Sequence, residues 1–210
     1  MPFGKSTIYG RKMKLINIHN KLLRSKIKVF SKLEFRRLMG ITRISAQKLL
    51  ERYTKKGVFV RLKGGLYALS QKYPSGYLIA NRLCEPSYLS FETALSYHSL
   101  IPETVYGFTS ATTKTTRSFE VKEQLFKYHT IKKAAYTGYK LTDLAGENIL
   151  LAEKEKALAD YLYYVFLKKK SLNERLRLKG VKRDKLLSYV SLFQMPNFIK
   201  WVKNVIRTAA

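Results

Sequence analysis

Leu15, Ile18, Leu22 and Leu23 recur at three- and four-residue intervals, which predicts a helix from Met13 with one apolar face. The polar, basic residues 1–12 ahead of it read as a loose arm. Residues 25–28 loosen the pattern, and Val29-Phe30 reads as a short extended link. A second helix begins at Ser31, where Glu34 three residues on completes a capping box. Leu33, Phe35 and Leu38 supply its apolar cover, and Gly40 suits a left-handed end. Thr42 caps a third helix, with Ala46, Leu49, Leu50 and Tyr53 as its buried stripe and Gly57 as its stop. Val58, Val60 and Leu62 then alternate with Phe59 and Arg61. Lys63-Gly64-Gly65 turns the chain, and residues 66–69 return as the second arm of a hairpin.

Three short helices followed by a basic-tipped hairpin predict a winged helix-turn-helix domain over residues 1–76. In that arrangement the third helix enters a DNA major groove. Arg43, Ser45, Gln47 and Lys48, near its amino end, are the candidate base readers. Lys14, Arg52, Lys55, Arg61 and Lys63 are placed to meet phosphates. The same arrangement also serves to dock protein or RNA, so an interaction protein without promoter recognition stands as the alternative.

Residues 77–210 predict a second, mixed α/β domain with a basic helical tail, giving an α/β chain as a whole. Pro74-Ser75-Gly76 breaks the chain between the two. Residues 77–83 and a segment opening at Ser90, with Phe91, Ala94, Leu95 and His98 on one side, read as helices. Residues 105–112, 118–121, 125–131 and 136–141 read as strands, the Thr- and Ser-rich run 109–118 as an exposed edge, with a polar groove for a ligand or phosphate as the alternative. Residues 147–151 form an apolar approach to a strong helix from Glu153, whose buried side is Ala157, Leu158, Tyr161, Leu162 and Val165. Glu153 and Glu155 in its first turn, and Lys168 to Lys170 at its end, suit the helix dipole. Residues 172–178, 184–193 and 198–206 predict three further helices.

Charge changes this picture. The 210 residues carry 41 Lys/Arg against 14 Asp/Glu, a net of +27. Residues 1–76 hold 19 basic and two acidic residues, 77–163 hold ten of each, and 164–210 hold 12 and two. The surplus therefore sits at the two ends, where a polyanionic partner would offset its self-repulsion. In the tail, Arg175, Arg177, Lys179, Lys182, Arg183 and Lys185 form a candidate auxiliary polyanion site.

A single cysteine, Cys84, excludes an internal disulfide and any cysteine-built zinc centre. His19, His98 and His129 stand in unrelated contexts. There is no Gly-rich phosphate loop, no paired-carboxylate metal motif and no nucleophile with its base, so the chain reads as a non-enzyme without metal or cofactor. No apolar run approaches the ~20 residues that span a bilayer. The expected setting is cytoplasmic, away from membranes, and no long heptad segment provides a dimer seam.

Three segments carry a family resemblance: KLLERYTKKGVFVRLKGGLYAL at 48–69; YLSFETALSYHSLIPETVYGFTSATTKTTRSFEV at 88–121, with FKYHTI at 126–131 and GY at 138–139; and ILLAEKEKALADYLYY at 149–164. They resemble the AbiEi-type antitoxin and transcriptional-regulator family of type IV toxin–antitoxin systems. The first segment is generic, the other two more specific. One departure is Lys154, where the family usually has proline before Glu155-Lys156-Ala157-Leu158. The resemblance implies a repressor that binds its own promoter on double-stranded DNA, and a carboxy-terminal region that counters a co-encoded nucleotidyltransferase-like toxin.

Overall fold

Ser31 holds two elements together at the start of the fold. It is the last residue of strand β1 (Val29–Ser31) and the N-cap of helix α2 (Lys32–Met39). Its hydroxyl accepts from Glu34 N at 3.2 Å, and its own N–H donates to Glu34 Oε2 at 2.7 Å. Both interactions satisfy backbone or cap groups that the helix leaves without partners. Gly40, at φ 65°, ends the helix in the left-handed region where a Cβ would be strained.

The computed structural model describes residues 15–103 and 105–208. The chain divides into two compact units, Met1–Pro74 and Ser75–Ala210. In the first, α1 (Leu15–Arg24) buries Ile18 and Leu22, and α3 (Arg43–Lys55) buries Ala46, Leu49, Leu50 and Tyr53. Strands β2 (Phe59–Lys63) and β3 (Leu66–Leu69) pair antiparallel, and β1 adds to the far side of β3, giving the order β1-β3-β2. Val29-Phe30 is thus a paired strand rather than a bare link. The core centres on Phe30, Phe35 and Phe59, whose ring centroids lie 5.3–5.8 Å apart in stacked and edge-on pairs.

Two expectations fail here for clear reasons. Leu33 is 46% exposed, because Phe35 and Met39, four residues apart, are the buried face of α2. In β2 the buried residues are Phe59 and Leu62, with Val60 and the preceding Val58 half-buried. A register shift between Arg61 and Lys63 breaks the simple alternation, so residues three apart face the same way.

The second unit is built on a six-stranded mixed sheet, β6-β7-β5-β4-β9-β8. Its strands are β4 (Ser87–Leu89), β5 (Phe108–Thr112), β6 (Arg117–Val121), β7 (Gln124–Thr130), β8 (Tyr139–Leu144) and β9 (Glu147–Ala152). The β5/β7 and β4/β9 pairs are parallel and the others antiparallel. Helices α4 (Gly76–Leu83), α5 (Phe91–Tyr97), α6 (Lys154–Phe166), α7 (Arg183–Ser191) and α8 (Pro196–Thr208) complete it. The chain is therefore mixed α/β, with eight α-helices and two sheets among the described residues.

The Thr-rich run divides between interior and edge. Thr109, Ser110 and Thr112 are buried on β5, between β7 and β4, and only the β6 end lies at the sheet margin. Two of these three buried hydroxyls find backbone acceptors: Thr109 Oγ1 donates to Ser90 O at 2.8 Å and Thr112 Oγ1 to Pro86 O at 2.7 Å. Helix α6 is buried on every side from Glu155 to Tyr164, not along one stripe, and Val165 is only half-buried. Residues 172–178 are irregular. Two of their amides go to tertiary acceptors, Asn173 N to Tyr161 Oη at 2.8 Å and Arg177 N to Leu100 O at 2.7 Å, and the Arg177 amide is one that a helix would direct to Asn173 O. Among the described residues no helix is long and apolar enough to cross a membrane.

Candidate nucleic-acid interface

Helix α3 shows how a 13-residue segment separates its duties. Thr42 caps it, its hydroxyl accepting from Ser45 N at 3.2 Å and donating to Ser45 Oγ at 3.0 Å. With 3.6 residues per turn, the four buried residues define one side. Ile44, Lys48, Glu51 and Lys55 run along the opposite side, with Gln47 and Arg52 flanking them. Arg43, Ser45, Gln47, Lys48, Arg52 and Lys55 are all exposed.

Two of the candidate base readers have partners within the helix. Gln47 Nε2 donates to Glu51 Oε1 at 2.9 Å, and Ser45 is engaged with the Thr42 cap. Arg43, Lys48, Arg52 and Lys55 form no ion pair with another described residue. Arg43 and Gln47 line a concavity of about 360 Å³ between α2 and α3, together with Lys32, Leu33, Arg36 and Ala46. Lys32 and Arg36 add cationic groups that sequence reasoning passed over.

The hairpin places Arg61 on the exposed side of β2 and Lys63, half-buried, at its tip. Gly64-Gly65 makes the turn between Lys63 and its partner Leu66, with Gly65 at φ 82°. Lys14 lies outside the described residues.

Ile44 was missed altogether. It is 68% exposed in the first turn of α3, on the side opposite the core. The signal was available: helical phasing puts an isoleucine in the middle of a polar face.

In the tail, Arg177, Lys179, Lys182 and Arg183 are exposed. Arg175 pairs with Glu103 at 3.5 Å, and Lys185 is half-buried between Glu153 at 2.8 Å and Glu155 at 3.7 Å. The hydrogen bonds from Lys185 and Tyr189 hold the Glu153 carboxyl below its ordinary range, and the same contact raises the Lys185 ammonium. Arg175 and Lys185 are therefore partly neutralised within the chain.

The polar centre of the second unit is sealed. Lys156 Nζ donates to Asp160 Oδ1, while Asp160 Oδ2 accepts from Ser90 Oγ at 2.7 Å and Tyr88 Oη at 2.9 Å. All four side chains belong to residues with 0% exposure. Burial pushes the Asp160 carboxyl up, opposed by Lys156 and the two hydroxyls. A group so enclosed meets no substrate, and its chemistry is that of a structural ion pair.

His98 Nε2 meets Ala152 O at 2.8 Å, and Cys84 is buried as a free thiol. His129 lies between Phe91 and Tyr164, with ring centroids 4.8 and 4.9 Å away. No cluster of His, Cys, Asp or Glu among the described residues is arranged to hold a metal ion. Compared with known protein families and with curated proteins, the chain matches none.

Proposed function

We propose that the chain is a sequence-specific double-stranded DNA-binding transcriptional regulator whose first unit acts as a winged helix-turn-helix. The observation that carries this reading is the exposed face of α3. Arg43, Gln47, Lys48, Arg52 and Lys55 project from a helix anchored on its other side by Ala46, Leu49, Leu50 and Tyr53. Neither folding nor internal pairing uses the cations of that face. They sit in a 76-residue stretch with 19 basic and two acidic residues.

On this reading α3 occupies the major groove, with Arg43, Ser45, Gln47 and Lys48 addressing base edges. Arg52, Lys55, Arg61, Lys63 and the Lys32–Arg36 wall of the concavity neutralise phosphates. Arg177, Lys179, Lys182 and Arg183 form a secondary polyanion surface. The family resemblance extends the proposal to an autoregulating repressor and to an antitoxin that counters a co-encoded nucleotidyltransferase-like toxin through its second unit.

Titration of the full chain against the duplex upstream of its own reading frame, and against a scrambled duplex of equal length, tests the proposal at each of several salt concentrations. Preference for the upstream duplex is expected throughout, with both affinities falling as salt rises. Equal affinity at every salt concentration overturns sequence-specific regulation. Recovery of a stable protein or RNA partner, with no enriched genomic duplex, would favour the docking role instead.

A further inference from the structure

One residue on the exposed side of α3 is explained by neither charge nor hydrogen bonding. Ile44 leaves most of its side chain in water, 68% exposed. It cannot help the core, because the buried residues lie on the opposite side of the helix. As a β-branched residue it is also a poorer helix former than alanine, leucine or lysine. Its neighbours along the face are polar: Gln47 and Lys48, three and four residues on, stand one turn above it.

In a major groove this position has a specific counterpart. Every base-pair edge there offers hydrogen-bond donors or acceptors, and thymine alone adds an apolar group, its 5-methyl. A side-chain amide one turn away complements that choice, since glutamine pairs bidentately with adenine N6 and N7. We infer that Ile44 is a specificity-determining residue that covers a thymine methyl, beside an adenine read by Gln47. The preferred site of this protein therefore holds A·T pairs under the first turn of α3. The inference rests on the DNA-reading role of α3 and adds the base it selects.

The experiment uses the full chain. Selection from a random duplex library at fixed salt yields the preferred sequence, and each thymine in it is then replaced in turn by uracil, which removes only the methyl. Wild type, Ile44→Ala and Ile44→Val are titrated against every duplex. At one position uracil should weaken wild type about fourfold, the effect of one methyl left unburied. Ile44→Ala should bind the thymine duplex more weakly, show no further loss with uracil, and match wild type on random duplex. Ile44→Val should retain most of the methyl preference. Because Ile44 faces away from the core, neither substitution should lower the melting temperature appreciably, and alanine, the better helix former, should raise it slightly. If no thymine methyl matters to wild type, or if Ile44→Ala keeps the same sensitivity, the inference falls while DNA reading stands. If no sequence is enriched, DNA reading falls and the inference falls with it.

Discussion

Gln47 donates its side-chain amide to Glu51 Oε1 at 2.9 Å, one turn further along the exposed side of α3. Glu51 is the single acid of that helix, set among Arg43, Lys48, Arg52 and Lys55. If α3 reads DNA as proposed, Glu51 would act on binding in two opposed ways, orienting the Gln47 amide and repelling phosphate. Glu51→Ala is therefore expected to raise affinity for random duplex about two- to fivefold while reducing preference for the cognate site. Parallel titrations of both duplexes measure this. An equal rise on both would show that the carboxylate acts through charge alone.

Base-reading and phosphate-binding side chains should separate in their salt behaviour. Arg43→Ala and Gln47→Ala should each cost about 1–3 kcal/mol on the cognate duplex and much less on random DNA. Lys63→Ala should weaken both almost equally and lower the magnitude of the salt slope by about one. Competition binding across a salt series tests all three. Uniform losses from the first two would reject their base-reading role.

The sealed Lys156–Asp160 pair makes a stability prediction independent of DNA. Replacing one partner strands a buried charge, so Lys156→Met or Asp160→Asn alone should cost about 3–5 kcal/mol. The double variant removes both charges and keeps an acceptor for Ser90 and Tyr88, so its cost should fall well below the sum of the two. Urea unfolding of the four proteins reads out this coupling. Additive losses would mean that the two charges do not stabilise each other.

His129 should make the second unit acid-sensitive. Burial first, then the nearby Lys170 ammonium, lower its pKa to about 4, while Glu92 opposes them. An unfolded histidine titrates near 6.5. Between those values the unfolded chain binds a proton that the folded chain refuses, so stability declines as pH falls from about 6.5 to about 4. The contribution is on the order of 1–2 kcal/mol once the partial exposure of the ring is allowed for. His129→Phe, set between Phe91 and Tyr164, should flatten that part of the melting-temperature profile relative to wild type. Identical profiles would remove His129 as the cause.

What the sequence made legible was what neighbouring residues decide. The Ser31–Glu34 box, the Thr42 cap and the Ala46-Leu49-Leu50-Tyr53 stripe all depend on residues within a few positions, and they appear where expected. What stayed hidden depends on distant partners. Val29–Ser31 becomes a strand only because residues 66–68 lie beside it. Thr109 and Thr112 become interior because β7 and β4 flank β5, a placement their polar side chains do not announce. Helix α6 loses its expected solvent face because neighbouring elements enclose it, and Tyr163 stacks on Phe193 at 4.3 Å. On the candidate interface the cations of α3 stand out in the sequence, whereas Lys32 and Arg36 join them only through the packing of α2 beside α3, and Ile44 shows only through helical phase.

The strand order also sets a timetable for synthesis. Among the described residues, each pairing of the first unit joins residues between 29 and 69, so all of those strands have been made when Leu69 is added. In the second unit Ser75, at its very start, donates its N–H to Glu147 Oε2 at 3.2 Å, and Leu89 of β4 sits opposite Leu151 of β9. At ~5–20 residues per second, several seconds separate the emergence of those partners from the ribosome. Throughout that interval the first unit has β1, β2 and β3 in full, while β4 waits with one edge open for a neighbour not yet translated.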